Sequence, residues 1–168
     1  MDWNKGKDCC FSRDDNWFRY RAGAIVVEDG CVLMVGNERD NYLYSVGGGV
    51  QLGETAQQAV VREVFEETGV HYEVDRLAVV HENFFDSSDG LLSGLCCHEI
   101  ALYFLMKPRG TKELHSDSWE YGIKEEMHWI PIEDLDKYTA FPSFLQEYLQ
   151  NPHEELVHII TDERQGAK

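Results

Sequence analysis

Glu63, Glu66 and Glu67 stand at positions i, i+3 and i+4 of one segment, a spacing that on an α-helix brings three carboxylates out on one face within a single turn. Like charges so placed repel by about 0.2–0.5 kcal/mol per pair on an open surface, and by more once desolvated, so a helix favours them when a cation compensates. Ligands that are all carboxylate oxygen match hard ions such as Mg²⁺ or Mn²⁺, which keep part of their water and accept phosphate oxygens in the remaining positions. The bland alternative is a solvated acidic helix face, balanced by Arg62 and distant lysines.

The overall charge makes the same demand. With 15 Lys and Arg against 31 Asp and Glu, the formal net charge is −16. That repels a nucleic-acid backbone, whose binding gains affinity from cationic side chains that displace counterions; a polynucleotide partner is not expected. A small anionic substrate would be repelled too, unless divalent cations sit between protein carboxylates and ligand phosphates. The 168 residues fit one domain, and 43% hydrophobic with 27% charged residues lies in the globular range. The start, MDWNKGKDCCFSRDD, has no apolar core of signal-peptide length, and no stretch reaches the ~18 apolar residues of a membrane span. A soluble cytoplasmic protein without a membrane partner is the expectation, with a homodimer left open. The five cysteines are odd in number and include two adjacent pairs, Cys9-Cys10 and Cys96-Cys97, poor spacing for a disulfide framework or a CxxC zinc site. They read as reduced thiols.

Residues 1–16 are polar and aperiodic and read as a surface arm of uncertain order; 17–168 reads as a single domain. Trp17 to Val27 is rich in aromatic and β-branched residues, Glu28-Asp29-Gly30 gives a turn, and Cys31 to Val35 is again strand-like, which together read as a hairpin. A short strand, Tyr42 to Val46, runs into Gly47-Gly48-Gly49. Thr55 to Thr68 reads as a helix: Thr55 and Gln58 make a capping-box pattern, Ala56, Ala59, Val60 and Val64 an apolar stripe, and Gly69 is placed to end it. Further strands are expected at Val70 to Asn83, Leu95 to Met106, Met127 to Ile130 and Leu156 to Thr161, a polar loop at Lys107 to Glu126, and a second helix at Pro142 to Gln150.

The segment from Gly48 to Val70 resembles the signature of the Nudix hydrolase family, including the MutT-like proteins: Gly, five residues, Glu, seven residues, then Arg-Glu-apolar-x-Glu-Glu-x-Gly-apolar. Every fixed position is filled, by Gly48, Glu54, Arg62, Glu63, Val64, Glu66, Glu67, Gly69 and Val70. The likeness extends more weakly through the Arg21 to Val35 hairpin, the strand from Leu95 and the segment ending at Trp129. One departure is Ser45-Val46, where many members carry Leu-Pro before the paired glycines; it loosens a turn and removes no ligand. The resemblance implies an α/β Nudix fold, an α/β/α sandwich on a mixed β-sheet, with the box helix at its edge and the second helix on the other face. It implies metal-dependent attack of water on a phosphoanhydride, in a nucleoside diphosphate linked to another group: a nucleoside triphosphate, ADP-ribose, a nucleotide sugar or similar. Glu63, Glu66 and Glu67 would hold Mg²⁺ or Mn²⁺ with the Gly47 carbonyl, Glu54 would assist, and Arg62 would orient the carboxylates. Arg62 and Glu66 are i, i+4 neighbours, so a guanidinium fork can fix a carboxylate whose other oxygen faces a metal. Glu63 is the first choice of general base, though some relatives take the base from a later loop. A non-catalytic Nudix ligand-binding or regulatory domain is the rival, against which the full set of box carboxylates speaks; a metal-buffering acidic protein is a third reading.

Outside the box, Glu99 interrupts the apolar run from Leu95, so it either lines the site or is satisfied by His98 or an arginine. Glu120, Glu125 and Glu126 are candidates for a further ligand or base, with solvated loop carboxylates the alternative. Phe84 and Phe85 offer faces for a base to stack on, or pack in the core. Arg19 and Arg21 share a strand face and would meet phosphates or form salt bridges. His71, His81 and His98 have no zinc spacing and read as structural.

Overall fold

Burial alternates along residues 96–102, where Cys97, Glu99 and Ala101 are buried between more exposed neighbours, the period of two that a strand imposes. The computed structural model describes residues 7–88 and 90–165, so residues 1–6 of the expected arm and the last three of the domain lie outside the described residues. The chain runs β1 (Cys10–Arg13), β2 (Asn16–Ile25), β3 (Val27–Glu28), β4 (Cys31–Asn37), β5 (Leu43–Ser45), β6 (Gly47–Gly49), α1 (Ala56–Thr68), β7 (Val74–Asp86), a 3-10 turn (Gly90–Leu92), β8 (Cys96–Met106), β9 (Trp119–Glu120), β10 (Ile123–Pro131), a 3-10 helix (Ile132–Lys137), β11 (Ala140–Phe141), α2 (Leu145–Gln150) and β12 (Val157–Asp162).

Among the described residues these strands form two six-stranded mixed sheets. One has the order β1-β2-β8-β7-β12, with β6 also on β2; the other has β11-β5-β4-β10-β9, with β3 also on β4. The helix α1 sets Ala56, Ala59, Val60 and Val64 against Ala22, Ala24 and Phe104 on one side. On the other, Leu145 and Tyr148 of α2 pack with Ile25, Met34 and Tyr103. Strand β4 serves both cores, Leu33 and Val35 in the first and Val32 and Met34 in the second. This is the expected α/β/α arrangement, with the sheet layer divided in two. No described helix is long and apolar enough to cross a membrane.

Helix α1 begins and ends where the sequence places it. The Thr55 hydroxyl accepts from the Gln58 N–H while the Gln58 side chain accepts from the Thr55 N–H, and Gly69 closes the helix in the left-handed conformation.

Three local expectations are corrected. The Asp29-Gly30 turn forms, with φ of 47° and 70°, but it joins only β3 to β4. The segment from Trp17 belongs to the other sheet, because β2 has one edge on β8 and the other on β1 and β6, leaving none for residues 31–35. Residues 10–13, aperiodic in sequence, pair as an exposed edge strand on β2, a role that backbone hydrogen bonds alone can fill. The loop expected at 107–126 contains a hairpin, β9 pairing the start of β10 across Tyr121-Gly122, and both turn residues have positive φ, as two-residue hairpins of this twist require.

Candidate active site

The box is a loop and helix folded onto one strand. β6 pairs antiparallel with β2, setting Gly47, Gly48 and Gly49 beside Gly23, Ala22 and Arg21. Gly47 has φ 138°, and a Cβ there would meet the Ala22 carbonyl. A Cβ on Gly48 would stand 2.6 Å from the Glu63 carboxyl carbon, so the glycines let the helix carboxylates lie directly on the strand backbone. The Gly47 N–H donates to Glu67 Oε1 at 3.0 Å.

Arg62 organises the remaining carboxylates. Its Nε and Nη2 donate to the two oxygens of Glu54 at 2.8 and 2.9 Å, Nη1 donates to Glu63 Oε1 at 2.5 Å and Glu66 Oε2 at 3.1 Å, and Nη2 also donates to the Gly49 carbonyl at 3.1 Å. The fork on Glu54, helped by the Gln51 N–H, holds that carboxyl below its ordinary range despite burial. Glu54 is thereby committed to Arg62 and does not line the cleft.

Glu63 and Glu67 are in the opposite condition. Burial raises the Glu63 pKa, with Glu66 adding to the effect and Arg62 opposing it. Glu67 is 7% exposed and raised well above the usual value, first by burial and then by Glu125 and Glu63, against the Gly47 N–H and Arg21. Its Oε2 is buried with no hydrogen-bond partner. A carboxylate oxygen so placed is costly unless a cation or a proton meets it, and an all-oxygen donor set at this point fits a hard divalent ion. Among the described residues no three His, Cys, Asp or Glu side chains stand ready as a cation cage; Arg62 engages Glu63 and Glu66 instead.

These carboxylates form one end of a cleft of about 1120 Å³. Its floor is the registered face of the first sheet, where Arg19 lies beside Glu99, Glu99 beside Asn83, and Asn83 beside Thr161. Glu99, 5% exposed, accepts from Arg19 Nε at 2.8 Å and Nη2 at 2.5 Å, so an arginine satisfies it, at a position that borders the cleft. Arg21 donates from Nη2 to the Ser45 carbonyl at 2.8 Å and keeps a buried Nε without a partner. Burial opposes its charge, but Tyr103 and then Glu99, Glu67 and Glu63 outweigh that and hold its pKa above the ordinary value. Buried His81 takes Thr161 Oγ1 at 2.8 Å on Nε2, while Nδ1 has no partner.

On the facing wall Glu125 is buried and accepts from Tyr44 Oη and Ser118 Oγ, both at 2.5 Å. Burial and then this carboxylate push the Tyr44 phenol up. Glu120 also lines the cleft, its pKa raised by burial and then by Glu125.

Two of the substrate-binding candidates, Glu126 and Phe84, also fall outside the cleft. Strand alternation sends Glu126 outward, where it is exposed and 3.6 Å from His128 Nε2. It likewise sends Phe85 into the cleft and Phe84 to the other face, stacked on His98 at 4.3 Å beneath the Arg164 guanidinium at 4.7 Å. A separate pocket of about 280 Å³ lies there. His71 stacks on Phe65, far in role from His81 and His98, and the five cysteines are free thiols. Sequence reading missed His81 and Asn83 as cleft residues; the period-two phase of β7, which groups them with Phe85, was the available signal. Tyr44 and Ser118 carried none.

The NUDIX domain family model matches residues 17–152. A MutT-like protein of Streptomyces ambofaciens is 40% identical over 120 residues, 71% of this chain and 67% of its own length. An RNA pyrophosphohydrolase of Roseobacter denitrificans is 27% identical over 127 residues, covering 70% and 79%. A mutator MutT protein of Bacillus halodurans has a similar fold, with a TM-score of 0.60 at 16% identity over 86% of this chain and 90% of that one. The chain belongs to the Nudix hydrolase family. Within it, the pyrophosphohydrolase relatives and the intact box make it a pyrophosphohydrolase, an enzyme that cleaves acid anhydrides of phosphate.

Proposed function

We propose that the chain hydrolyses a phosphoanhydride bond in a small nucleoside diphosphate linked to another group, such as a nucleoside triphosphate, ADP-ribose or a nucleotide sugar, with Mg²⁺ or Mn²⁺ at the box. The observation that carries this reading is the buried, unpartnered Glu67 Oε2 beside Glu63 and Glu66 at the end of a cleft. Glu63, Glu66, Glu67 and the Gly47 carbonyl would hold the ion, which supplies charge neutralisation for the phosphates and a lowered pKa for the attacking water. Arg62 fixes Glu63 and Glu66 from the side away from the substrate. Glu63 Oε1 is engaged by Arg62, which leaves Oε2 to accept a proton from water; Glu120 and Glu125 on the facing wall are the alternative bases. Arg21, charged and with an unused N–H, offers a contact for a phosphate on the strand opposite α1.

A relative named for RNA raises the question of a polymer, but the net charge of −16 disfavours a long phosphate backbone and supports a small substrate. The test is a panel of nucleotides assayed for phosphate and nucleotide products with Mg²⁺ or Mn²⁺, then in excess EDTA. Turnover of at least one member with metal and none with EDTA is expected. Full turnover in EDTA, or none on any member with metal, overturns the reading.

A further inference from the structure

Residues 111–118 pair with no strand among the described residues, yet their burial alternates: Lys112, Leu114, Ser116 and Ser118 are half-buried, and the residues between them are exposed. That is the period of an extended chain, held here by side chains and caps in place of a ladder. Just before it, the Arg109 and Gly110 N–H groups donate to the buried Glu28 carboxylate. The Trp129 Nε1–H donates to the Lys112 carbonyl at 2.9 Å, and Leu114 packs on the core beneath α1. The next two bonds go to the end of the box helix. The His115 N–H donates to the Thr68 carbonyl at 2.9 Å and the Ser116 hydroxyl to the Glu67 carbonyl at 2.5 Å, taking two of the carbonyls that a last helical turn leaves unpaired. A Cβ on Gly69 would stand 2.3 Å from the His115 carbonyl oxygen, so the segment lies directly on the helix end. Two residues on, the Ser118 hydroxyl donates to Glu125 Oε2 at 2.5 Å, and the Ser118 carbonyl accepts from the Glu125 N–H at 3.0 Å. Tyr44 takes the other Glu125 oxygen. Glu67 and Glu125 are the buried carboxylates of the two facing walls, and the charge of Glu125 acts on Glu67 across the gap.

We propose that residues 115–118 are a tie across the cleft, and that Ser116 and Ser118 are positioning residues which together set the gap between Glu67 at the box and Glu125 on the facing wall. Two residues of extended chain span about 7 Å, so with both hydroxyls bonded the walls cannot part without breaking a bond. The inference rests on the hydrolase reading for the metal-bound diphosphate that fills the gap. A tie holds only while both its ends are bonded. Cutting either end therefore frees the gap, and cutting the second adds little.

The experiment compares the full chain with its Ser116→Ala, Ser118→Ala and doubly substituted forms. Three quantities are measured: the Mn²⁺ dissociation constant from the ion's spin-resonance signal, kcat/KM on the best substrate of the nucleotide panel, and amide hydrogen exchange at His115 and Glu125. Each single substitution is expected to weaken Mn²⁺ binding and lower kcat/KM by about tenfold, the low end of what losing a partner of a metal-ligating group costs. The double variant should be within about twofold of the weaker single one, where independent sites would multiply to about a hundredfold. Ser118→Thr keeps the hydroxyl and should restore both values. Exchange should quicken at the end that was not cut, at His115 in Ser118→Ala and at Glu125 in Ser116→Ala. Losses that multiply in the double variant overturn the tie and leave the box reading intact. So does a fall in melting temperature with Mn²⁺ affinity and kcat/KM per folded molecule unchanged. If the unmodified chain binds no Mn²⁺, the box reading falls and exchange decides the tie: quickened exchange at the far end sustains it, and unchanged exchange overturns it.

Discussion

The two ends of the cleft are built on different principles. At the box, every functional group comes from residues 47–69, and Arg62 alone bonds Glu54, Glu63, Glu66 and the Gly49 carbonyl. On the floor, Arg19, Glu99, Asn83 and Thr161 come from four strands and meet only because β2, β8, β7 and β12 pair in that register. The box end gathers negative charge that its own arginine only partly offsets, with Glu67 left unpartnered at Oε2. On the floor Glu99 is met by Arg19 and His81 Nε2 by Thr161, while Arg21 Nε and His81 Nδ1 keep no partner. A site that stores uncompensated negative charge is prepared for a cation, whereas a floor whose carboxylate is paired and whose nitrogens are left over is prepared to orient a polar group of the substrate.

Substitutions at the two ends should therefore separate rate from binding. The largest effect is expected from Glu67→Gln, which removes charge from the unpartnered carboxylate: turnover with saturating Mg²⁺ should fall by orders of magnitude while thermal unfolding stays level or rises. Near-normal turnover in this variant would place the metal elsewhere. Next in size, Glu99→Gln should lower kcat/KM by about tenfold, mainly through KM, because the change frees Arg19 at the floor and leaves the box intact. A fall in melting temperature with unchanged kinetics would instead make Glu99 a structural group. Phe84→Ala comes third: it should cost stability, but less than the ~3–5 kcal/mol of a fully buried phenylalanine, with kcat/KM unchanged, since its ring sits on His98 outside the cleft. Loss of activity per folded molecule would contradict that placement. Smallest is Glu126→Gln, exposed on the outer face of β10, for which steady-state kinetics and melting temperature should both match the unmodified chain; a kinetic defect would break the contrast between Glu125 and Glu126.

What could be read without the fold follows the same division. The capping box at Thr55 and Gln58, the Gly69 terminus and the single carboxylate face of α1 are consequences of helical period and local hydrogen bonding, so they were legible over a few residues. Glu99 was recognisable as anomalous because a carboxylate in an apolar strand is costly, but its partner Arg19 lies on a strand that joins β8 in parallel, a pairing no local pattern announces. Phe84 and Phe85 were indistinguishable by type, and only the phase of β7 against β8 and β12 decides which one faces the cleft.

The sequence by itself determined the box: a contiguous segment whose helix, caps and carboxylate spacing are dictated by interactions within one or two turns. The tertiary structure alone decided the rest of the cleft, sending Glu125 inward and Glu126 outward, bringing Tyr44 and Ser118 to Glu125, and raising Trp119 and Tyr121 at the mouth. The reason is physical: strand register is fixed by pairing between segments distant in the chain, and a shift of one residue exchanges every inward side chain for its outward neighbour.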